Sequence, residues 1–143
     1  MKKKLRLHPR DRKEQLDYFI IKAVAQHGIS RVTHSHVCVL AGVSVSTVHF
    51  YYKRRKDLVN SAIKQVEDFL IEMFAANLNR TSEIDALTDL AAAFVKEGFD
   101  NPDLIKVWLD WSAGINQNVW RDYQNLLKRL HESVRKVLTR AKR

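Results

Sequence analysis

Along most of this chain apolar residues recur at intervals of three and four, the spacing of one face of a helix. Leu16, Phe19, Ile20, Ala23 and Val24 predict an amphipathic helix from about Arg10, ended by Gly28. Thr33 is placed to cap a short second helix through Leu40, with Val37, Leu40 and Ala41 facing inward. Ala41-Gly42-Val43 breaks it, and Ser44 caps a third helix that reaches about Tyr52. The basic run Lys53-Arg54-Arg55-Lys56 leads into a long fourth helix with Leu58, Ala62, Val66, Phe69, Leu70 and Met73 on one face. Asn79-Arg80-Thr81-Ser82 reads as a loop. Ser82 with Asp85 then starts a fifth helix, facing inward with Leu87, Leu90, Ala91, Phe94 and Val95 and stopped by Gly98. Asn101-Pro102 opens a sixth, with Leu104, Ile105, Val107, Trp108 and Trp111, which Ala113-Gly114 interrupts. A last helix from about Gln117 carries Val119, Trp120, Tyr123, Leu127, Leu130, Val134 and Val137. Seven helices and no convincing strand predict an all-α fold.

Composition narrows the class. The 143 residues are 45% hydrophobic and 29% charged, with four glycines and two prolines, which excludes disordered, collagen-like and turn-rich all-β chains. A single cysteine, Cys38, excludes a disulfide framework and a cysteine-rich zinc site. No apolar run approaches the ~18 residues of a membrane span, and no apolar core follows the basic Met1–Arg6 segment, so a cytoplasmic protein without a membrane partner is expected. Charge is unevenly spread. Residues 1–60 carry 13 Lys/Arg against 4 Asp/Glu, residues 61–120 carry 4 against 10, and residues 121–143 carry 8 against 2. A basic N-terminal part, 1–60, beside an acidic segment of the remaining body, 61–143, points to a module that binds a polyanion and a body that does not.

Residues 33–52 form helix, three-residue turn, helix, the helix-turn-helix arrangement in which the first helix braces the second against DNA. The second, Ser44 to Tyr52, offers small hydroxyl residues at its start that can approach base edges and phosphates closely. Its free N–H groups favour a phosphate. His49 and Tyr51 add donors one turn on, and Arg54, Arg55 and Lys56 follow as backbone contacts. Other chemistry finds no support. The carboxylate pairs Asp100/Asp103 and Glu67/Asp68 have no His, Ser or Cys partner in a recognisable motif, and there is no phosphate-binding glycine loop, so neither an enzyme nor a cofactor is expected. His34 and His36, two apart, do not share a helix face, so no metal site is expected.

Gly28-Ile29, Thr33, Val37-Cys38, the run Ala41 to Val48, Tyr51-Tyr52 and Asp57-Leu58 together resemble the DNA-binding domain of the TetR family of transcriptional regulators. Three stretches resemble its LuxR/HapR-type branch of quorum-sensing master regulators. They are Arg6 to Leu16, Val43 to Val48, and Lys106 to Ala113 followed by Val119-Trp120. The resemblance implies a regulator that binds double-stranded DNA as a two-fold dimer, each recognition helix entering a major groove. It implies that Lys4, Arg6 and Arg12 belong to an N-terminal arm reaching the minor groove. Ser46 and Thr47 are then the candidates for base edges, with Val45 beside them, while Thr33, Ser44, His49, Tyr51, Arg55 and Lys56 hold the backbone. Where the branch commonly has Asn, this chain has Phe50, which cannot make bidentate contacts to adenine. Phe50 either meets a thymine methyl or turns inward as core. Cys38, in place of the usual alanine, is expected to be a small buried hydrophobe.

In the same family the body surrounds a ligand cavity. That implies a pocket near Phe94, Trp108, Trp111, Trp120, Tyr123 and Leu127, although large aromatics at helical spacing more often form plain core. The family runs to about nine helices, the last two building the dimer interface, and this chain ends near the seventh. Two rival readings follow: a short relative that forms a heterodimer with a full-length regulator and titrates it, and a ligand-sensing repressor.

Overall fold

The computed structural model of the chain describes residues 7–79, 82–115 and 118–141. Among the described residues there are seven helices and no strand: α1 (Pro9–His27), α2 (His34–Ala41), α3 (Val45–Tyr51), α4 (Arg55–Asn77), α5 (Glu83–Asp100), α6 (Pro102–Ala113) and α7 (Trp120–Ala141). The chain divides into two compact units, Met1–Ala62 and Ile63–Arg143, and α4 contributes residues to both.

The first unit is built by local signals. Proline at the start of α1 fits the first helical turn, and the His8 side chain accepts the Arg10 N–H ahead of it. Gly28 ends α1 with φ 89°. Thr33 and His36 make a reciprocal capping box on α2: the Thr33 hydroxyl accepts the His36 N–H and His36 Nδ1 accepts the Thr33 N–H. Gly42 closes α2 in the left-handed conformation, φ 67°, which suits glycine because a side chain there would crowd the following carbonyl. Ser44 caps α3 by accepting the Thr47 N–H. The core is Leu16, Ile20, Ile21, Ala23 and Val24 of α1, Ile29 and Val32 of the following loop, Val37 and Cys38 of α2, Val48 and Tyr52 around α3, and Leu58, Val59 and Ala62 of α4. Each fully buried Leu, Ile or Val here contributes roughly 1.5–3 kcal/mol of apolar transfer free energy. Cys38 is buried, and burial pushes its thiol above its ordinary pKa, as a packing residue requires.

The second unit buries Ile63, Val66, Leu70, Met73 and Phe74 of α4 and Leu78 just after it, with Ala86 and Leu90 of α5, Val107 and Trp111 of α6, and Val119, Tyr123, Leu126, Leu130 and Val137 in and before α7. Four sequence expectations are corrected here. The inward face of α5 is rotated: Ala86 and Leu90 are buried, whereas Leu87 and Val95 are exposed. Gly98 does not stop α5, which runs to Asp100. Asn101 precedes α6 without capping it, because its amide donates to the Glu97 carboxylate behind it. On α7 the buried partner of Tyr123 and Leu130 is Leu126, and Leu127 is exposed. The proposed start of α7 at Gln117 and the Arg80-Thr81 part of the predicted loop lie outside the described residues.

Candidate nucleic-acid interface

α3 has seven residues, too short to be stable alone in water, so its neighbours must hold it. Val48 is wholly buried, and Tyr52 just beyond the helix is nearly so. The Tyr52 hydroxyl donates to the Asp17 carboxylate, and Ser61 Oγ donates to the same oxygen at 2.9 Å. α1, the end of α3 and α4 therefore meet at one carboxylate. Burial and that carboxylate hold the Tyr52 hydroxyl well above its ordinary pKa, so it stays a neutral donor. Lys13 lies 5.5 Å from the Tyr52 ring centre and 3.9 Å from Asp17, next to the same node. A second clamp joins α2 to α3: His34 Nε2–H donates to the Tyr52 carbonyl at 2.6 Å, and the His34 ring stacks on His49 at 3.8 Å between centroids. His34 is thus a half-buried structural residue.

These anchors determine what α3 presents. Val45, Ser46, His49 and Phe50 are exposed, Thr47 and Tyr51 half-buried. Ser44 Oγ lies 3.0 Å from Ser46 Oγ and 2.8 Å from Thr47 Oγ1, so three hydroxyls are gathered at the start of the helix. Phe50 resolves the alternative left open by the sequence. It is 75% exposed and does not turn into the core.

The remaining sequence-predicted contacts separate. Lys56 is exposed, as are Lys53 and Arg54. Arg55 is exposed as well, but its Nε donates to the Val32 carbonyl at 3.0 Å and its Nη2 to the Ile29 carbonyl, which fastens the α1–α2 loop to the start of α4. This guanidinium therefore has a positioning role in the first unit. The exposed Thr33 hydroxyl is engaged as the cap of α2. Arg12 is half-buried and donates to Gln15 Oε1 at 2.6 Å. Lys4 and Arg6 lie outside the described residues. Sequence reading missed Asp17, Ser61 and Tyr52 as positioning residues. Their partners lie 35 and 44 positions apart, beyond any local pattern.

In the second unit the aromatic residues pack on one another. Phe94 lies edge-on to Phe74 at 5.9 Å and stacks on Trp108 at 5.5 Å; Tyr123 contacts both Trp111 and Trp120. Trp111 is wholly buried and its Nε1–H donates to the Val119 carbonyl at 3.0 Å, an ordinary core arrangement. Leu127, expected to line a pocket with them, is 42% exposed and points away from that core. A groove of about 440 Å³ lies between α4 and α7, lined by Phe74, Leu130, Lys128 and Lys136 among others, and includes none of the six residues expected to form the pocket. Among the described residues no group of three metal-ligating side chains occurs, and no helix is long and apolar enough to cross a membrane.

An exposed recognition helix braced by a second helix on a basic helical unit is the arrangement of helix-turn-helix proteins, and the whole fold is that of the TetR-like transcriptional regulators. The chain is similar to a TetR-like transcriptional regulator from Rhodococcus sp. RHA1, with a TM-score of 0.80 and 17% identity over 94% of this chain and 73% of that one. A protein of Streptomyces coelicolor A3(2) assigned as a transcriptional regulator matches with a TM-score of 0.66 and 18% identity, over 90% of this chain and 73% of that one. In sequence, the chain is 32% identical over 119 residues to the HTH-type transcriptional regulator LuxR of Vibrio harveyi, a match that takes in 80% of this chain. The chain spans 57% of the length of that relative. No family model matches the chain. The resemblance to TetR-type regulators read from the sequence is thus met in both fold and sequence.

Proposed function

We propose that this chain is a cytoplasmic, sequence-specific regulator of transcription that lays α3 in the major groove of duplex DNA. The observation that carries the reading is the two-sidedness of α3. Val48 and Tyr52 fix it inward, while Ser46, His49 and Phe50 project outward beside the cations Lys53, Arg54 and Lys56. Base contacts come from that outward face, and the exposed cations meet phosphates. The reading is supported by the likeness to the LuxR regulator, and the resemblance to the LuxR/HapR-type branch extends it to quorum sensing. Two copies would read half-sites about 34–36 Å apart, one turn of DNA.

The test is fluorescence anisotropy of labelled duplex DNA titrated with the chain at several salt concentrations. Log affinity should fall linearly with log salt, and Lys56→Ala should reduce the slope by about 0.9, one phosphate contact. Affinity that ignores salt, or a Lys56→Ala slope equal to that of the parent, would contradict the assignment.

A further inference from the structure

We propose that Phe50 selects thymine in the DNA site by laying its ring against the C5 methyl group in the major groove. The inference rests on the DNA-binding reading above and gives that site a base preference. Phe50 stands two residues after Val48, which is wholly buried. Two residues advance about 200° around a helix, so the Phe50 ring leaves α3 on the side opposite its anchor. Ser46 lies one turn earlier on the same outward side, and the exposed Lys53 follows. The ring does not lie down on the protein surface. It stays 75% exposed and is held edge-to-face against Tyr51, centroids 5.0 Å apart, and Tyr51 is itself half-buried.

A phenyl ring has neither donor nor acceptor, so it cannot read the hydrogen-bonding edges that distinguish most base pairs. The one apolar mark in the major groove is the thymine methyl. A preset apolar group between hydroxyls and cations therefore matches one base and is indifferent or hostile to the polar edges of the others. The ring also has only two rotatable side-chain bonds, so little freedom is lost on contact.

The experiment selects bound duplexes from a random-sequence pool with the full chain, then replaces each thymine of the selected site by deoxyuridine. That change removes the methyl and nothing else. The parent chain should lose about fourfold in affinity per contacted methyl, the effect of one apolar carbon returned to water, at one or two positions in each half-site. Phe50→Ala should bind thymine and deoxyuridine sites equally, and Phe50→Asn should move the preference at that position toward adenine. Circular dichroism confirms that both variants fold. Equal affinity of the parent for thymine and deoxyuridine sites overturns the inference, as does a Phe50→Ala variant that still discriminates them. In either case salt-dependent DNA binding still stands. A parent chain that binds no duplex at all defeats the DNA-binding reading, and this inference with it.

Discussion

The guanidinium of Arg55 donates to two carbonyls of the loop between α1 and α2, so removing it strands acceptors at the edge of the core. Arg55→Ala is expected to lower the unfolding free energy by about 1–2 kcal/mol, measured by urea denaturation, and to leave the salt slope of DNA affinity unchanged. Its neighbour Lys56 should behave in the opposite way, altering the slope and not the stability. A second residue carries a pH prediction. Burial, and then the positive charge of the stacked His27, lower the pKa of His36 from its ordinary 6.5. Its Nδ1 accepts the Thr33 N–H, a bond that the protonated ring cannot keep. The unfolded chain therefore binds this proton more readily than the folded one. Stability should be highest above the unfolded value and decline as pH falls from about 6.5 toward the folded value. His36→Gln, which keeps a side-chain acceptor at the same capping position, should make the urea midpoint less sensitive to acid over that range. An unchanged pH dependence would mean that other groups govern it.

The turn between α2 and α3 depends on Gly42 at φ 67°, with no atom beyond its immediate chain neighbours within 4 Å of the place a Cβ would occupy. Space is no obstacle, so the cost of a side chain is conformational. Gly42→Ala is expected to destabilise by about 1 kcal/mol and Gly42→Asn by less, since asparagine tolerates the left-handed region. Thermal melts of the two variants test the order. This element was legible in the sequence because its determinants are local: Thr33, Gly42 and Ser44 each act within four residues. The faces of α5 and α7 were less legible. Helices rich in alanine or with two candidate apolar stripes do not reveal which stripe meets a core, and the choice between Leu126 and Leu127 is made by the surrounding helices. The Asp17 node was not legible at all, since three polar residues far apart in the chain give no periodic signal. The bonds of Arg55 were not legible for a related reason: in a run of four cations, nothing in the sequence singles out the one that reaches the Val32 and Ile29 carbonyls.

At the scale of the chain, the two compact units carry different reporters. All three tryptophans, Trp108, Trp111 and Trp120, belong to the second unit. In Arg55→Ala, tryptophan emission during urea unfolding should keep the parent midpoint while far-ultraviolet circular dichroism acquires an earlier transition from the first unit. Coincident midpoints would mean that the units unfold together through the shared helix α4. The attachment of α3 has a consequence of another kind. The helix is held from one side, by Val48, by the bonds around Tyr52 and by the stack of His34 on His49, and its outward positions 45, 46 and 50 contribute little to the core. Under the proposed DNA-binding reading, mutations at those positions would change what the protein reads with little effect on whether it folds. On that reading, a lineage built on this scaffold could explore new target sequences through single substitutions without passing through unfolded intermediates, and duplicated copies could drift to separate sets of genes while keeping one architecture.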